Sequence, residues 1–305
     1  MAKSSSSKTW LITGASQGLG LAIALSALKK GHKVIAGARN PEVAGTNHPE
    51  LTAAGGEWLH LDVSLPSTRD IVQQAAEKAG GIDVVVNNAG YYAVGQIEDF
   101  SEEEMKDAME TNFWGPVRVV QGALPGMRAR KSGTIVSISS ILGFYPCPAG
   151  VLYSCPKAAQ DMLQSVLKSE LAVFNIRTIT ITAGLYRTGV ITASKLPAAG
   201  ITEDYLAGSV GKCLQDSGKF AQDASDIPGD PEKFGERIVE VVDSTGLASG
   251  LEKTSRFLFG KDAIQLSKLR MAELAEDFKN SEDIAASTDF EGHTGRGVLS
   301  ISDYL

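Results

Sequence analysis

The sequence predicts an α/β protein, a doubly wound, mostly parallel seven-stranded sheet with helices on both faces. Three observations lead there. Short runs rich in β-branched residues alternate with longer segments of helical period, the order that generates parallel strands joined by crossover helices. The 32 glycines are about a tenth of the 305 residues, which suits many tight strand-to-helix turns. With 43% hydrophobic and 21% charged residues and only 11 prolines, the chain has the composition of a globular protein with a core of ordinary size.

Strands are expected at 9–13, 33–38, 57–61, 82–87, 134–138, 176–182 and 256–259, and helices at 19–30, 67–79, 101–113, 116–130 and 153–174. Right-handed crossovers between successive strands then give the double winding. Over 189–230 the periodicity fades, and so long a connection just after a strand end predicts a substrate lid. Amphipathic helices follow at 231–245 and 262–279. The organisation is therefore a frayed N-terminus over 1–8, one domain over 9–280 and a polar C-terminal tail over 281–305.

A formal charge of −7 disfavours nucleic acid as a partner. The three cysteines, Cys147, Cys155 and Cys213, are an odd set without CxxC spacing, which predicts reduced thiols in a cytoplasmic protein. Cys147 reads as packing, since nothing in the sequence supplies a base for it. The histidines, His32, His48, His60 and His293, stand singly, so no metal site is expected. No apolar run approaches the ~20 residues of a membrane span.

After the first expected strand comes Thr13-Gly14-Ala15-Ser16-Gln17-Gly18-Leu19-Gly20. Glycines at such a turn permit positive φ and let main-chain N–H groups and a helix N-terminus approach a pyrophosphate; a plain tight turn would also use them. The second strand ends in Gly37-Ala38-Arg39-Asn40, with no carboxylate before Glu42. A guanidinium where an acid would hold ribose hydroxyls favours the 2′-phosphate of NADP over NAD. Asp62, followed by Val63, stands either to cap the next turn or to bond an adenine. Tyr153 and Lys157 lie four apart, on one helical face.

The ensemble resembles the short-chain dehydrogenase/reductase family, in the subgroup built on one Rossmann-type domain. The residues that carry the resemblance are the turn from Thr13 to Gly20, Asp62, the Asn87-Asn88-Ala89-Gly90 string, Asn112, Ser140 and the Tyr153/Lys157 pair, in the family's order and intervals over residues 8–188. Two features depart from its pattern. Ala183-Gly184 replaces the usual Pro-Gly after the sixth strand, although Thr188 keeps its place four beyond the glycine. Pro156 lies inside the Tyr/Lys pair, where a first helical turn would tolerate its missing N–H.

The resemblance implies a nicotinamide cofactor, NADP(H), cradled by Gly14, Ser16, Gln17, Gly18, Leu19 and Gly20. Arg39 and Asn40 would stand at its 2′-phosphate, Asp62 and Val63 at its adenine, and Asn88, Ala89 and Gly90 along its floor. Gly184 and Thr188 would stand at its carboxamide end. It assigns Tyr153 as acid/base, acidified by Lys157 and an oxidised nicotinamide. Lys157 would also hold the nicotinamide ribose, Ser140 the substrate oxygen, and Asn112 a water relaying protons to Lys157. Tyr92, Leu142, Phe144, Tyr145, Tyr186 and Tyr205 predict an apolar pocket for a lipophilic ketone or secondary alcohol.

Two other readings use the same pocket: a cyclase, isomerase or dehydratase without net redox, and a noncatalytic NADP(H)-sensing module. Apolar surplus on helices 116–130 and 153–174, with the dimer bundle the resemblance implies, predicts a homodimer or homotetramer.

Overall fold

The computed structural model describes residues 7–290. Among these described residues there are seven strands, all parallel, in the order β3-β2-β1-β4-β5-β6-β7. The chain runs β1 (Thr9–Thr13), α1 (Gly18–Lys29), β2 (Lys33–Ala38), α2 (Pro41–Asn47), α3 (Pro49–Ala53), β3 (Glu57–His60), α4 (Thr68–Lys78) and β4 (Val84–Asn87). It continues with α5 (Glu102–Met109), α6 (Gly115–Arg130), β5 (Gly133–Ser140), α7 (Val151–Ala172) and β6 (Ile176–Ala183). The last elements are α8 (Ser209–Gln222), α9 (Pro231–Asp243), β7 (Arg256–Phe259) and α10 (Lys261–Ala286).

The central strands are apolar on both faces because helices cover both. Every residue of β1 and β4 is buried. Alternate side chains divide between two cores: Trp10, Ile12, Val34, Val86 and Ile181 face α1 and α9, whereas Leu11, Val85 and Ile135 face α4, α6 and α7. The order reverses between β1 and β4. From β1 the chain crosses to β2 and β3 on one side, and the crossover from β3 returns to β4 on the other side of β1, so a crevice opens at the carboxyl ends of β1 and β4.

Several elements differ from the sequence expectation. The stretch between β2 and β3 holds two short helices, each with proline at its first turn, that are too brief to establish a helical period. The expected helix 101–113 ends at Met109 and continues as one π-helical turn, Glu110–Trp114, directly into α6. Helix α7 starts at Val151, so Pro156 is its sixth residue and not part of a first turn. Its missing N–H leaves the carbonyl of Leu152 without the usual helical donor.

The segment 189–230 is not devoid of regular structure: it contains α8, whose Val210, Cys213 and Leu214 pack on Tyr92, Val94 and Ala149. At the N-terminus, Ser7 and Lys8 are held and do not fray. The Ser7 hydroxyl donates to Gly31 O (2.8 Å), and Lys8 pairs with the carboxylate of Asp243. Residues 1–6 of the expected frayed terminus lie outside the described residues. The expected tail begins inside α10, which continues to Ala286; its residues 291–305 also lie outside the described residues.

Candidate active site

The glycine turn after β1 is fixed by a network centred on Thr13. Its Oγ1 accepts from the main-chain N–H of Asn88 and of Ala89, both at 3.0 Å, and donates to Val86 O (3.3 Å). Asn88 returns the contact, its Nδ2 donating to Thr13 O (2.9 Å) and Gly14 O (3.2 Å). Gly14, at φ +64°, lies so close to Ala89 that a Cβ would stand 2.9 Å from the neighbour's Cα. Thus Asn88 and Gly20 hold the turn together from behind, while Ser16, Gln17, Gly18 and Leu19 line the crevice.

No acidic residue stands in the first turn of α1, and the Gln17 side chain makes no cap. The Ala15 N–H donates to Gly37 O (2.9 Å), and the N–H groups at the start of α1 remain available to an anion. One continuous cavity of about 950 Å³ runs from this turn to Tyr153 and on beneath α8. A side-chain-free cradle, uncapped amides and a cavity of this length fit a nicotinamide dinucleotide.

At the end of β2, Arg39 is exposed, lines the cavity and has no acidic partner within 4 Å among the described residues. Asn40 does otherwise than expected: its Oδ1 accepts from Val43 N (3.1 Å), capping α2, and the side chain does not reach the cavity wall. Asp62 caps its own turn, with Oδ1 accepting from the N–H (3.0 Å) and hydroxyl (2.7 Å) of Ser64. It also lines the cavity beside Val63. The two roles considered for Asp62 are therefore compatible.

The opposite end of the cavity is built on β5 and α7. Lys157 is 3% exposed, and its Nζ donates to Ile138 O (2.7 Å) and Gln160 Oε1 (3.2 Å). The ammonium stands 5.7 Å from the centre of the Tyr153 ring. Burial pulls Lys157 down to about 8, opposed by the Asp161 carboxylate, so it remains charged at neutral pH. Tyr153 is pushed up to about 12 by burial, with the Ser140 hydroxyl pulling the other way. In the resting protein the phenol therefore keeps its proton. The ammonium protons point to Ile138 and Gln160, and desolvation of the phenolate dominates.

Ser140 ends β5, where its Oγ also accepts from Leu142 N (3.2 Å). Asn112 lies in the π-helical turn, with its Oδ1 accepting from Tyr91 N (3.0 Å) and its Nδ2 donating to Tyr91 O (3.1 Å). The amide side chain therefore fixes the Gly90-Tyr91 main chain. Gly90 needs its missing side chain, since a Cβ there would stand 2.6 Å from Asn112 Oδ1.

At the end of β6, Ala183 is buried in register with Ser140 and Phe259, and just beyond it Asp262 Oδ2 accepts from Leu185 N (2.7 Å). Asp262 therefore orders the segment that carries the Ala-Gly departure. Thr188 reaches back to the glycine turn, its Cβ 3.4 Å from where a Gly18 side chain would begin. Of the expected pocket residues, Tyr92, Leu142 and Tyr186 line the cavity. Phe144, Tyr145 and Tyr205 do not. Phe144 and Tyr145 follow a 3₁₀ turn whose Ile141 carbonyl accepts both their N–H groups, carrying them past the pocket; Tyr205 is exposed.

Sequence reasoning missed Asp262 and two exposed cavity lysines, Lys195 and Lys212, whose single positions carry no motif. It also missed the approach of Cys147 to Cys213, because 66 residues separate them and no spacing rule joins them. Among the described residues there is no His, Cys, Asp or Glu cluster able to hold a metal, and no helix is long and apolar enough to cross a membrane.

Comparison with known proteins agrees with this architecture. The model of the short chain dehydrogenase family matches residues 8–197, and the chain belongs to that family. It is an oxidoreductase of the short-chain dehydrogenase type. Oxidoreductase claN of Passalora fulva is 48% identical over 210 residues, 68% of this chain and 95% of the relative. A short-chain dehydrogenase from Streptomyces avermitilis superposes with a TM-score of 0.82 at 32% identity, over 95% of this chain and 100% of that one. L-sorbose reductase from Gluconobacter frateurii, solved with NADPH and L-sorbose, gives a TM-score of 0.65 at 27% identity, over 83% of this chain and 95% of that one.

Replacing Asn112 with Ala removes both bonds to Tyr91. The expected result is a loss of about 1–3 kcal/mol in urea denaturation, the cost of leaving half-buried main-chain groups unpaired. An unchanged midpoint would contradict this positioning role.

Proposed function

We propose that the chain is an NADP(H)-dependent carbonyl reductase or alcohol dehydrogenase acting on a lipophilic ketone or secondary alcohol. The observation that carries this reading is the buried Lys157 ammonium, 5.7 Å from the Tyr153 ring, at one end of a cavity that begins at an open glycine turn. NADPH, when bound, supplies the hydride.

The chain's own residues supply binding and proton transfer. Gly14, Ser16, Gln17, Gly18 and Leu19 present the turn and helix N-terminus to the pyrophosphate, with Val63, Ala89, Gly90, Gly184 and Thr188 along the dinucleotide. Arg39, free of a carboxylate partner among the described residues, takes the 2′-phosphate. Tyr153 holds its proton at neutral pH and donates it to the substrate oxygen, which the Ser140 hydroxyl orients. Lys157 faces the phenolate left behind and offers protons to the ribose hydroxyls. Asn112 acts by fixing Gly90 and Tyr91.

Tyr92 and Leu142 pack with Tyr153, while Tyr186 and the buried Ile191 line the same cavity, and this supports the lipophilic substrate class. On α7, Met162 and Val166 are 65% and 47% exposed, which supports a homodimer or homotetramer. Light scattering at the mass of one chain would refute that assembly.

With NADPH and a panel of hydrophobic ketones, absorbance of the reduced nicotinamide should fall. Tyr153→Phe should lower kcat by about 100-fold or more. Undiminished turnover in that variant, or product formed with constant nicotinamide absorbance, contradicts the reading. Arg39→Ala should raise KM for NADPH by about 10–100-fold while leaving that for NADH nearly unchanged, the value of one charge-assisted contact. Equal effects on both cofactors would remove Arg39 from this role.

A further inference from the structure

Cys147, in the loop between β5 and α7, faces Cys213, in the middle of α8, with Sγ atoms 3.8 Å apart. Both are half-buried and both line the substrate end of the cavity. Cys213 shares the apolar face of α8 with Val210 and Leu214, the face that rests on Tyr92, Val94 and Ala149. Tyr92, against which Cys213 packs, meets the Tyr153 ring edge-on at 5.1 Å. The two thiols therefore sit at the seam where α8 closes on the body.

The segment carrying α8 is tied down at its two ends. Lys195 pairs with Ala93 and Thr202 bonds to Asp99 on one side, and Gly229 pairs with Tyr186 on the other. Between these anchors α8 rests on the body by side-chain packing.

We propose that Cys147 and Cys213 form a reversible redox-modification site, a dithiol that a hydroperoxide converts to a disulfide, strapping α8 over the substrate end of the cavity. The sulfurs need to approach by about 1.8 Å to reach the ~2.05 Å bond.

Cys213 is the attacking group. One hydrogen bond joins the two sulfurs, in which either can donate; with Cys147 donating, it holds the Cys213 thiol below the usual range and the Cys147 thiol above it. The Cys213 thiolate attacks the outer peroxide oxygen, the O–O bond breaks, and the departing alkoxide takes a proton to leave as an alcohol. Cys147 sulfur then attacks the resulting sulfenic acid. The S–S bond forms, the S–O bond breaks, and hydroxide leaves with the Cys147 proton as water. Two thiols are oxidised and one hydroperoxide is reduced. An external dithiol reverses the step.

The test uses the full chain with Cys155→Ser, so that only this pair is left, and one equivalent of cumene hydroperoxide. The expected product has lost two hydrogens by intact mass and yields a peptide joining Cys147 to Cys213. Its α8 amides should exchange about tenfold more slowly, with both changes reversed by dithiothreitol. Adding Cys213→Ser should abolish both. Oxygen addition to Cys213 without a link overturns the proposal, as does a link that leaves α8 exchange unchanged. Neither readout needs substrate, so failure here is separate from failure of the reductase reading.

Discussion

Burial of the Lys157 ammonium is the constraint on which the site depends. An ammonium withdrawn from water is expensive unless its protons are taken up, and here Ile138 O on β5 and Gln160, one turn further along α7, take them. Those contacts fix α7 against the end of β5 in one register. The position of Tyr153, one turn before Lys157, follows. Gly143 permits the approach, since a Cβ there would stand 3.0 Å from the carbonyl carbon of Lys157. Gly90 makes room on the other side, with Asn112 behind it.

The same burial separates the two proton affinities. Desolvation raises the neutral acid and lowers the cationic one, leaving Tyr153 near 12 and Lys157 near 8 in the resting protein. At neutral pH the phenol therefore keeps its proton and the amine keeps its charge. Such a pair suits delivery of a proton to a carbonyl, with the ammonium in place to stabilise the phenoxide that results.

Much of the fold was legible because strand burial leaves a period. Apolar residues at Trp10, Leu11 and Ile12 can run without interruption only when both sheet faces are covered, and the glycine turn that follows has a backbone reason for each position. Tyr153 and Lys157 were legible through helical spacing and through their order after Ser140. What escaped depends on where side chains aim. Asn40 beside Arg39 looked like a cofactor contact, yet it caps α2, a helix held by too few residues to announce itself. Phe144, Tyr145 and Tyr205 have the right chemistry for a pocket wall, but one 3₁₀ turn and one exposed position carry them elsewhere. Asp262 and the Cys147–Cys213 approach arise from tertiary contact between distant segments, which no local pattern encodes.

Titration of the Lys157 amine tests this account most directly, without requiring a substrate. In protein carrying ¹³C-labelled lysine, the Cε resonance that disappears in Lys157→Met belongs to this residue, and its shift against pH reports its proton. The account predicts a midpoint near 8, well below the ~10.4 of a free lysine side chain. A midpoint among the ordinary lysines, near ~10.4, would mean that the amine is solvated and does not hold Tyr153 in place.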